Sequence, residues 1–576
     1  MRLSLVKSKN TTQFYVIESY RDINGKNTSR IIEKLGNEKD VLKKSNGKDP
    51  VAWAKKYVED LNKKELENSR KIIIEKSQNV QIPLNDINLF NCGYLFLEKI
   101  YYQLGLHNIC KDISKKYKFK YDLNDILSKL IFARIIFPSS KLATNELCQN
   151  FLEQPNFELH HIYRALEVLA KENDFIQSEL YKNSLNVSKR NSSILYYDCT
   201  NYFFEIEEES GIRKYGISKE HRPNPLVQMG LFMDGNGIPL AFNINEGNTN
   251  EQITMTPLEE KIIKDFELSK FVVCTDAGLA SNKNRKFNDV ENRAFITTQS
   301  IKKLKTYLKQ WALDSSNWKL VGSDKLYNID EIQNDEEKRS KYKEYIFFKE
   351  RWINENNLEQ KIIVTFSLKY KNYQRNIRNS QIERARNAIN NKNFKFDKKN
   401  QNDFNRFITK INITDDGEIA SKKVYSINQN LISQEEKYDG FYSVCTNLDD
   451  NPSEIIKVNK RRWEIEECFR IMKTEFKARP VYLSKDDRIT AHFLTCYIAL
   501  LIYRLLEQKI DDKFTIEQII NCLRNMNVHK ENLYCYSPTY TRSILTDELH
   551  EKLGFRTDYE VITDKNLKKI LKEIKK

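Results

Sequence analysis

At 576 residues, 40% hydrophobic and 11% aromatic, the chain is too long for one compact core and apolar enough to bury several. That composition excludes a wholly disordered protein. Against 80 Asp and Glu stand 95 Lys and Arg, a net charge of +15 with a sequence pI near 9.0. The surplus favours a polyanionic partner, because neutralised phosphates release condensed counterions; from charge alone, a merely Lys-rich surface reads as well. None of the ten cysteines form a C-x-x-C pair, which argues against a zinc ribbon and for reduced thiols. The opening MRLSLVKSKN has no apolar signal region, and the longest apolar run, Phe493 to Tyr503, falls short of the roughly 20 residues a membrane span needs. The expectation is a cytoplasmic protein with no membrane segment.

In chain order, residues 1–85 read as a β-rich segment followed by a charged helix. TQFYVIESY is a strand, RDINGK offers an Asn24-Gly25 turn, a second run ends at Leu35-Gly36, and a helix spans about 51–76. Residues 86–190 read as helical, with apolar spacing through LFLEKIYYQLGL and DILSKLIFARIIF and an interruption at Pro138. From 191 to 300 the texture becomes α/β. ILYYDCTNYFF, VQMGLFMD and IPLAFNINEG predict three successive antiparallel strands, with a Gly235-Asn236-Gly237 turn between the last two. A helix through MTPLEEKIIKDF then leads to the short strands FVVCTD and RAFITTQ. Residues 301–437, rich in Lys, Asn, Glu and Gln, read as an insertion that still contains strands such as KEYIFFKE and KIIVTFSLKY. The core resumes over 438–510 with the strand FYSVCTN and one long helix from about Ser453 to Phe476; residues 511–576 read as helical. No tandem repeat is visible.

Three carboxylates stand out. Asp198 sits in the middle of an apolar, aromatic strand, where an unpaired charge is costly. Asp276 ends another apolar strand just ahead of Ala277-Gly278, the position at which α/β sheets usually place ligands. Taken singly, each reads as readily as a strand-end cap or a turn residue. Glu466 lies on the helix RRWEIEECFRIMKTEFK. At roughly 100° per residue, Arg462, Lys473, Glu466, Lys477 and Arg470 share one stripe, while Ile465, Cys468, Phe469, Met472 and Phe476 form the buried one. Glu466 with Arg462 and Arg470 also reads as ordinary i,i+4 pairing. As a set, two strand-borne aspartates and one helical glutamate suit Mg²⁺, which binds few protein oxygens and keeps waters and substrate oxygens. A pair of such ions drives phosphoryl transfer, and neighbouring Arg and Lys clamp phosphates.

The segments YYDCTNYFFE, YGISKEHRPNPLVQMGLFMDGNGIPLAFNINEGNTNE, CTDAGLAS, YDGFYSVCTN, RRWEIEECFRIMK and ARPVYLSKDDRITAHFLTCYIAL resemble the DDE transposases of bacterial insertion sequences, in particular the insertion-sequence-four superfamily. PSSK at 138–141 and SYRDINGK belong to the same likeness, which spans roughly residues 10 to 510. The resemblance implies a ribonuclease-H-like core interrupted by a β-containing insertion. Asp198, Asp276 and Glu466 are then the catalytic, metal-holding residues for two Mg²⁺ ions, with Mn²⁺ a substitute. It further implies cleavage at the element's ends and strand transfer into target DNA, specific binding to terminal inverted repeats, and a homodimer on two synapsed ends. The family's helix signature is Tyr, Arg, Glu and Lys at fixed spacing; Arg462, Glu466 and Lys473 match it, and Asn459 stands where the tyrosine belongs. DNA contacts are expected from Arg462, Lys473, Arg470, Lys477, Asn459, Lys219 and Arg222, with end recognition by 86–190. Lys219, His221 and Arg222 read equally as a solvated turn. His492 reads as a satisfied buried histidine, and Trp463 as packed at a domain seam rather than stacked on DNA. A related nuclease or resolvase that cleaves without joining, and a non-catalytic DNA-binding derivative, remain as competing readings.

Overall fold

A computed structural model describes residues 1–7, 11–21, 27–45, 47, 49–68, 72–74, 76–391, 403–413, 422–531 and 535–576. The chain divides into two compact units, Met1–Asp86 and Ile87–Lys576.

In the first unit, strands Arg2–Lys7, Thr12–Arg21 and Asn27–Asn37 form an antiparallel sheet. The first of them is largely exposed along its length, with Leu3 packed against the small core of this unit. The Asn24-Gly25 turn lies outside the described residues. Asn37 ends the third strand and starts the helix Glu38–Lys44, accepting a hydrogen bond from the Asp40 amide in a capping box. The next helix, Pro50–Asn68, stops short of the expected residue 76. Phe14, Val16, Leu35, Val41, Ala54 and Val58 close a small core.

The second unit is built on a ten-stranded mixed sheet: β1 (Ile194–Phe203), β2 (Leu226–Asp234), β3 (Pro239–Glu246), β4 (Phe271–Thr275), β5 (Arg293–Thr298), β6 (Trp318–Leu320), β7 (Ser323–Tyr327), β8 (Phe347–Asn354), β9 (Glu359–Phe366) and β10 (Phe441–Thr446). Its spatial order is β7-β6-β8-β9-β10-β5-β4-β1-β2-β3. The three expected antiparallel strands are β1, β2 and β3, and β4 and β5 then add parallel on the other side of β1. Strands within residues 301–437, the stretch read as an insertion, prolong the sheet: β9 pairs with β10, and β10 with β5. The sequence of β9, EQKIIVTF, is buried at all but its first residue, so both faces of the sheet are covered there. A separate antiparallel ribbon, Ile408–Ile413 with Lys422–Ile427, stands outside this sheet, and its Ile408 with the preceding Phe407 packs on Ile382 and Ala385 of the long helix Leu368–Ile389.

After β10 the single helix expected over 453–476 is broken. It runs as α1 (Pro452–Lys460), a turn through Arg461 and Arg462, α2 (Trp463–Arg470), and a π turn over Ile471–Glu475 closed by the Phe476 amide on the Ile471 carbonyl. At the first break the amides of Arg461, Arg462, Glu464 and Ile465 each bond three residues back, tightening the helix locally. Next comes α3 (Asp486–Lys509), which packs on the preceding helices Leu159–Lys171, Leu123–Ile136 and Tyr94–Gln103. By length and composition α3 could cross a membrane, yet 89% of its apolar window is buried inside the protein, as in a core helix. The C-terminal region is not helical throughout. Its strands Asn527–Lys530, Cys535–Pro538 and Ile562–Thr563 join Leu89–Asn91 in a small sheet, tying the start of this unit to its end.

Candidate active site

Strand alternation fixes what faces the site. Leu195, Tyr197 and Cys199 of β1 point into a cluster with Met255, Leu258 and Ile262. Tyr196 and Tyr202 belong to the core on the other side, which leaves Asp198 and Thr200 on the face crossed by α2. Parallel pairing of β1 with β4 sets Ile194 beside Val272 and Tyr196 beside Cys274. Two residues further in the same register, Asp198 comes opposite Asp276, just past the end of β4. The two expected aspartates are therefore neighbours across adjacent strands.

Their surroundings are polarised. The Asp276 carboxylate accepts the amides of Gly278 (2.9 Å) and Leu279 (3.1 Å), which fixes it at the mouth of the turn beyond β4. Asp198 accepts its neighbour's amide from Cys199 at 2.8 Å. Burial pushes the Asp198 carboxyl up to about 6; Asp276 adds to that rise, while Lys219, the Cys199 amide and Arg462 oppose it. The Lys219 ammonium bonds the Cys199 carbonyl and lies 3.2 Å from Glu251. Burial works against its charge, but Asp198 and Glu251 outweigh burial and raise its pKa. Lys473 reaches Thr200 Oγ1 at 2.7 Å; burial lowers its pKa to about 8, assisted by Lys219 and opposed by Asp198.

Glu466 is less closely joined to this pair than its sequence position suggested. It lies between Arg462 and Lys473 along the chain, but its side chain is 61% exposed and its carboxylate lies 3.5 Å from the Arg462 guanidinium. Among the described residues no three His, Cys, Asp or Glu side chains converge closely enough to hold a metal ion. Two carboxylates thus meet, and the third stands off on its helix.

The expected DNA contacts divide. Arg462, Lys473 and Lys219 gather at Asp198. Arg470 turns to Glu467, 2.9 Å away, so it is engaged along its own helix. Lys477 is exposed but lies beyond the π turn, with a left-handed φ of 44°. One inserted residue rotates the downstream side chains by roughly 100° relative to an uninterrupted helix, so Lys477 leaves the expected stripe. Arg222 and His221 are exposed in their loop, the Arg222 guanidinium 4.9 Å from the Phe203 ring centre. Asn459 is 4% exposed, and its amide donates to the Tyr442 hydroxyl (2.8 Å) and accepts from the Cys274 thiol (3.6 Å), so it is spent inside the protein. Trp463 is not packed at a seam: it is 60% exposed, at the rim of a cavity of about 610 Å³ shared with Glu466, Arg462, Tyr373 and Tyr442. His492 is buried, with Nε2 on the Ala478 carbonyl at 2.9 Å, and burial holds it well below its usual pKa, hence neutral. All ten cysteines are free.

Sequence reasoning passed over Thr200, Glu220 and Glu251. Glu220 pairs with both Lys473 and Arg479, and Glu251 with Lys219. Position in β1 could have flagged Thr200, two residues from Asp198 on the same face; the two loop glutamates carry no such periodic signal.

The donor set fits a hard divalent cation. Two half-buried carboxylates lie side by side, one of them raised in pKa by desolvation and partly by the other, and a cation relieves both penalties. The structure of a piggyBac transposase synaptic complex with hairpin DNA aligns over 84% of this chain and 84% of that chain, at 9% identity and a TM-score of 0.35, too low to carry an argument. No curated protein matches the chain. The family described as the transposase DDE domain matches residues 203–502, more than half of the sequence; Asp276 and Glu466 fall inside that stretch and Asp198 just ahead of it. The chain belongs to the DDE transposase domain family.

Proposed function

We propose that this transposase cleaves DNA at the ends of a mobile element and joins the freed 3′ ends to target DNA, using Asp198, Asp276 and Glu466. The observation that carries the reading is the Asp198–Asp276 pair on adjacent parallel strands, in a chain of this family. The sheet segment β3-β2-β1-β4-β5, an antiparallel meander extended by two parallel strands, supports a ribonuclease-H-like core. Asp198 and Asp276 would hold divalent metal, Mg²⁺ in this reading, with Glu466 as third ligand; the metal supplies activation of the attacking oxygen and stabilisation of the leaving one. Glu466 enters through its place between Arg462 and Lys473, both of which act on the Asp198 charge.

Within the protein, the amides of Gly278 and Leu279 orient Asp276, and Lys219 favours ionised Asp198. Arg462 and Lys473 are placed to hold strand phosphates beside the acids, and the exposed Trp463 offers a stacking face. Terminal inverted repeats and target DNA are the partners, a homodimer on two ends is the working assembly, and the cytoplasm is the compartment in which it acts.

The test uses purified protein, a labelled duplex carrying the element's end, a target plasmid and Mg²⁺. Joined product is expected from the wild type and none from Asp276→Ala. Glu466→Gln is expected to fold normally, since an exposed ion pair contributes about 1 kcal/mol or less, and to lose at least a hundredfold in rate. Full activity in Glu466→Gln would remove it from the ligand set. Cleavage without joining would indicate a nuclease, and binding without cleavage a non-catalytic derivative.

A further inference from the structure

A second cluster of cations lies away from the acidic pair, around the Pro138-Ser-Ser-Lys141 segment. Lys141 is 5% exposed, and its ammonium nitrogen has no hydrogen-bond partner. Beside it, the buried Arg134 donates to the carbonyls of Phe476 (3.1 Å), Lys477 (3.3 Å) and Ser139 (3.1 Å), while its Nε is unpartnered. The ionisable groups acting on Lys141 are Arg134, Cys496 and Cys148, with no carboxylate among them. His492, the third nitrogen-bearing group, is neutral and spends Nε2 on a carbonyl. All three residues line one cavity of about 590 Å³, with Ser139, Lys477 and Arg479 also in its wall.

Two buried cations without an anion are expensive, and the cost falls when an anion enters with acceptors for the idle N–H groups. The geometry points to a phosphate-binding pocket here, with Lys141 and Arg134 as its charged donors. A tetrahedral oxyanion can take the Lys141 ammonium and the Arg134 Nε together, and the volume leaves room for a sugar beside it. Burial, with Arg134 next, brings the Lys141 pKa down to about 7, the state of an amine lacking a counter-ion, which an anion would restore to full charge.

A nucleic-acid strand is the favoured source of that phosphate. The wall residues Lys477 and Arg479 to Leu483 continue directly from the helical segment bearing Glu466. Arg479, in that wall, pairs with Glu220, which also pairs with Lys473 beside Asp198. The strand as source rests on the transposase reading; the pocket itself does not.

Titration calorimetry of the full chain with inorganic phosphate, in chloride of matched ionic strength, tests the pocket. Wild type is expected to bind, Lys141→Met to bind at least tenfold more weakly, and Lys141→Arg to stay within about threefold of wild type. The methionine variant should melt no lower than wild type without phosphate, because the amine it loses has no partner. Equal binding by wild type and Lys141→Met, or no binding by the wild type, overturns the inference. A short single-stranded oligonucleotide supplies the second arm: displacement of phosphate identifies strand phosphate as the source, and retention of phosphate identifies the free ion. Phosphate binding that persists in a protein unable to cleave its element's DNA counts against the transposase reading alone.

Discussion

Asp198 lies in β1 between Tyr197 and Cys199, both fully enclosed, and its carboxyl is pushed up to about 6, chiefly by burial. Because the folded-state value exceeds that of an unfolded aspartate, this group favours folding at pH below about 4, and the benefit is lost as pH rises through about 6. Above that pH the ionised carboxylate is a liability that metal would relieve. Asp198→Asn should therefore raise metal-free stability at pH 7.5, by an amount on the order of 1–3 kcal/mol, and leave it nearly unchanged near pH 4. Calorimetric melts in a chelating buffer at the two pH values decide the matter. A variant no more stable than wild type at pH 7.5 would show that the carboxylate is already satisfied without a cation.

Among elements, the helix after β10 shows most clearly what periodicity misses. The wheel places Glu466, Lys473 and Lys477 on one stripe; the structure keeps Lys473 at Asp198, leaves Glu466 exposed beside Arg462, and carries Lys477 past the π turn. Such a turn depends on which carbonyl an amide selects, and here the amide of the fully buried Phe476 takes that of Ile471. A second element-level constraint fixes the long helix Leu368–Ile389 to the turn ahead of β10. Both terminal nitrogens of Arg378 donate to Asp439 at 2.6 Å, and the two side chains are 5% exposed each. Arg378→Met strands that carboxylate, and a loss of about 3–5 kcal/mol in urea unfolding is expected. A loss under ~1 kcal/mol would mean that water reaches Asp439 freely.

Across the whole molecule, the separate core of Met1–Asp86 implies that Ile87–Lys576 can stand alone. A fragment beginning at Ile87 should give one cooperative thermal transition with its β-sheet signal retained; aggregation without a transition would show that the first unit is required for folding. The net charge of +15 and the cations around Asp198 predict DNA affinity that falls linearly on a log–log plot with salt. Anisotropy titrations between roughly 50 and 200 mM salt should show at least a tenfold loss. A flat dependence would oppose phosphate contacts as the main source of affinity.

The sequence by itself determined the local features. Apolar, aromatic-rich runs and turn residues announced β1, β2 and β3, and the acids Asp198 and Asp276 were visible because a charge inside or at the tip of an apolar strand is costly. Tertiary structure alone decided which distant segments share a surface. Nothing in KIIVTFSLKY says that it pairs with FYSVCTN and prolongs the main sheet, and nothing in the first residues of the second unit announces their strand pairing with Asn527–Lys530. Helix spacing foretold the Glu466–Arg462 pair, but nothing local reveals that Arg134 and Lys141 meet in a cavity without a carboxylate. Periodicity records which face of an element is buried, whereas partnership depends on packing among side chains hundreds of residues apart, and no local pattern encodes it.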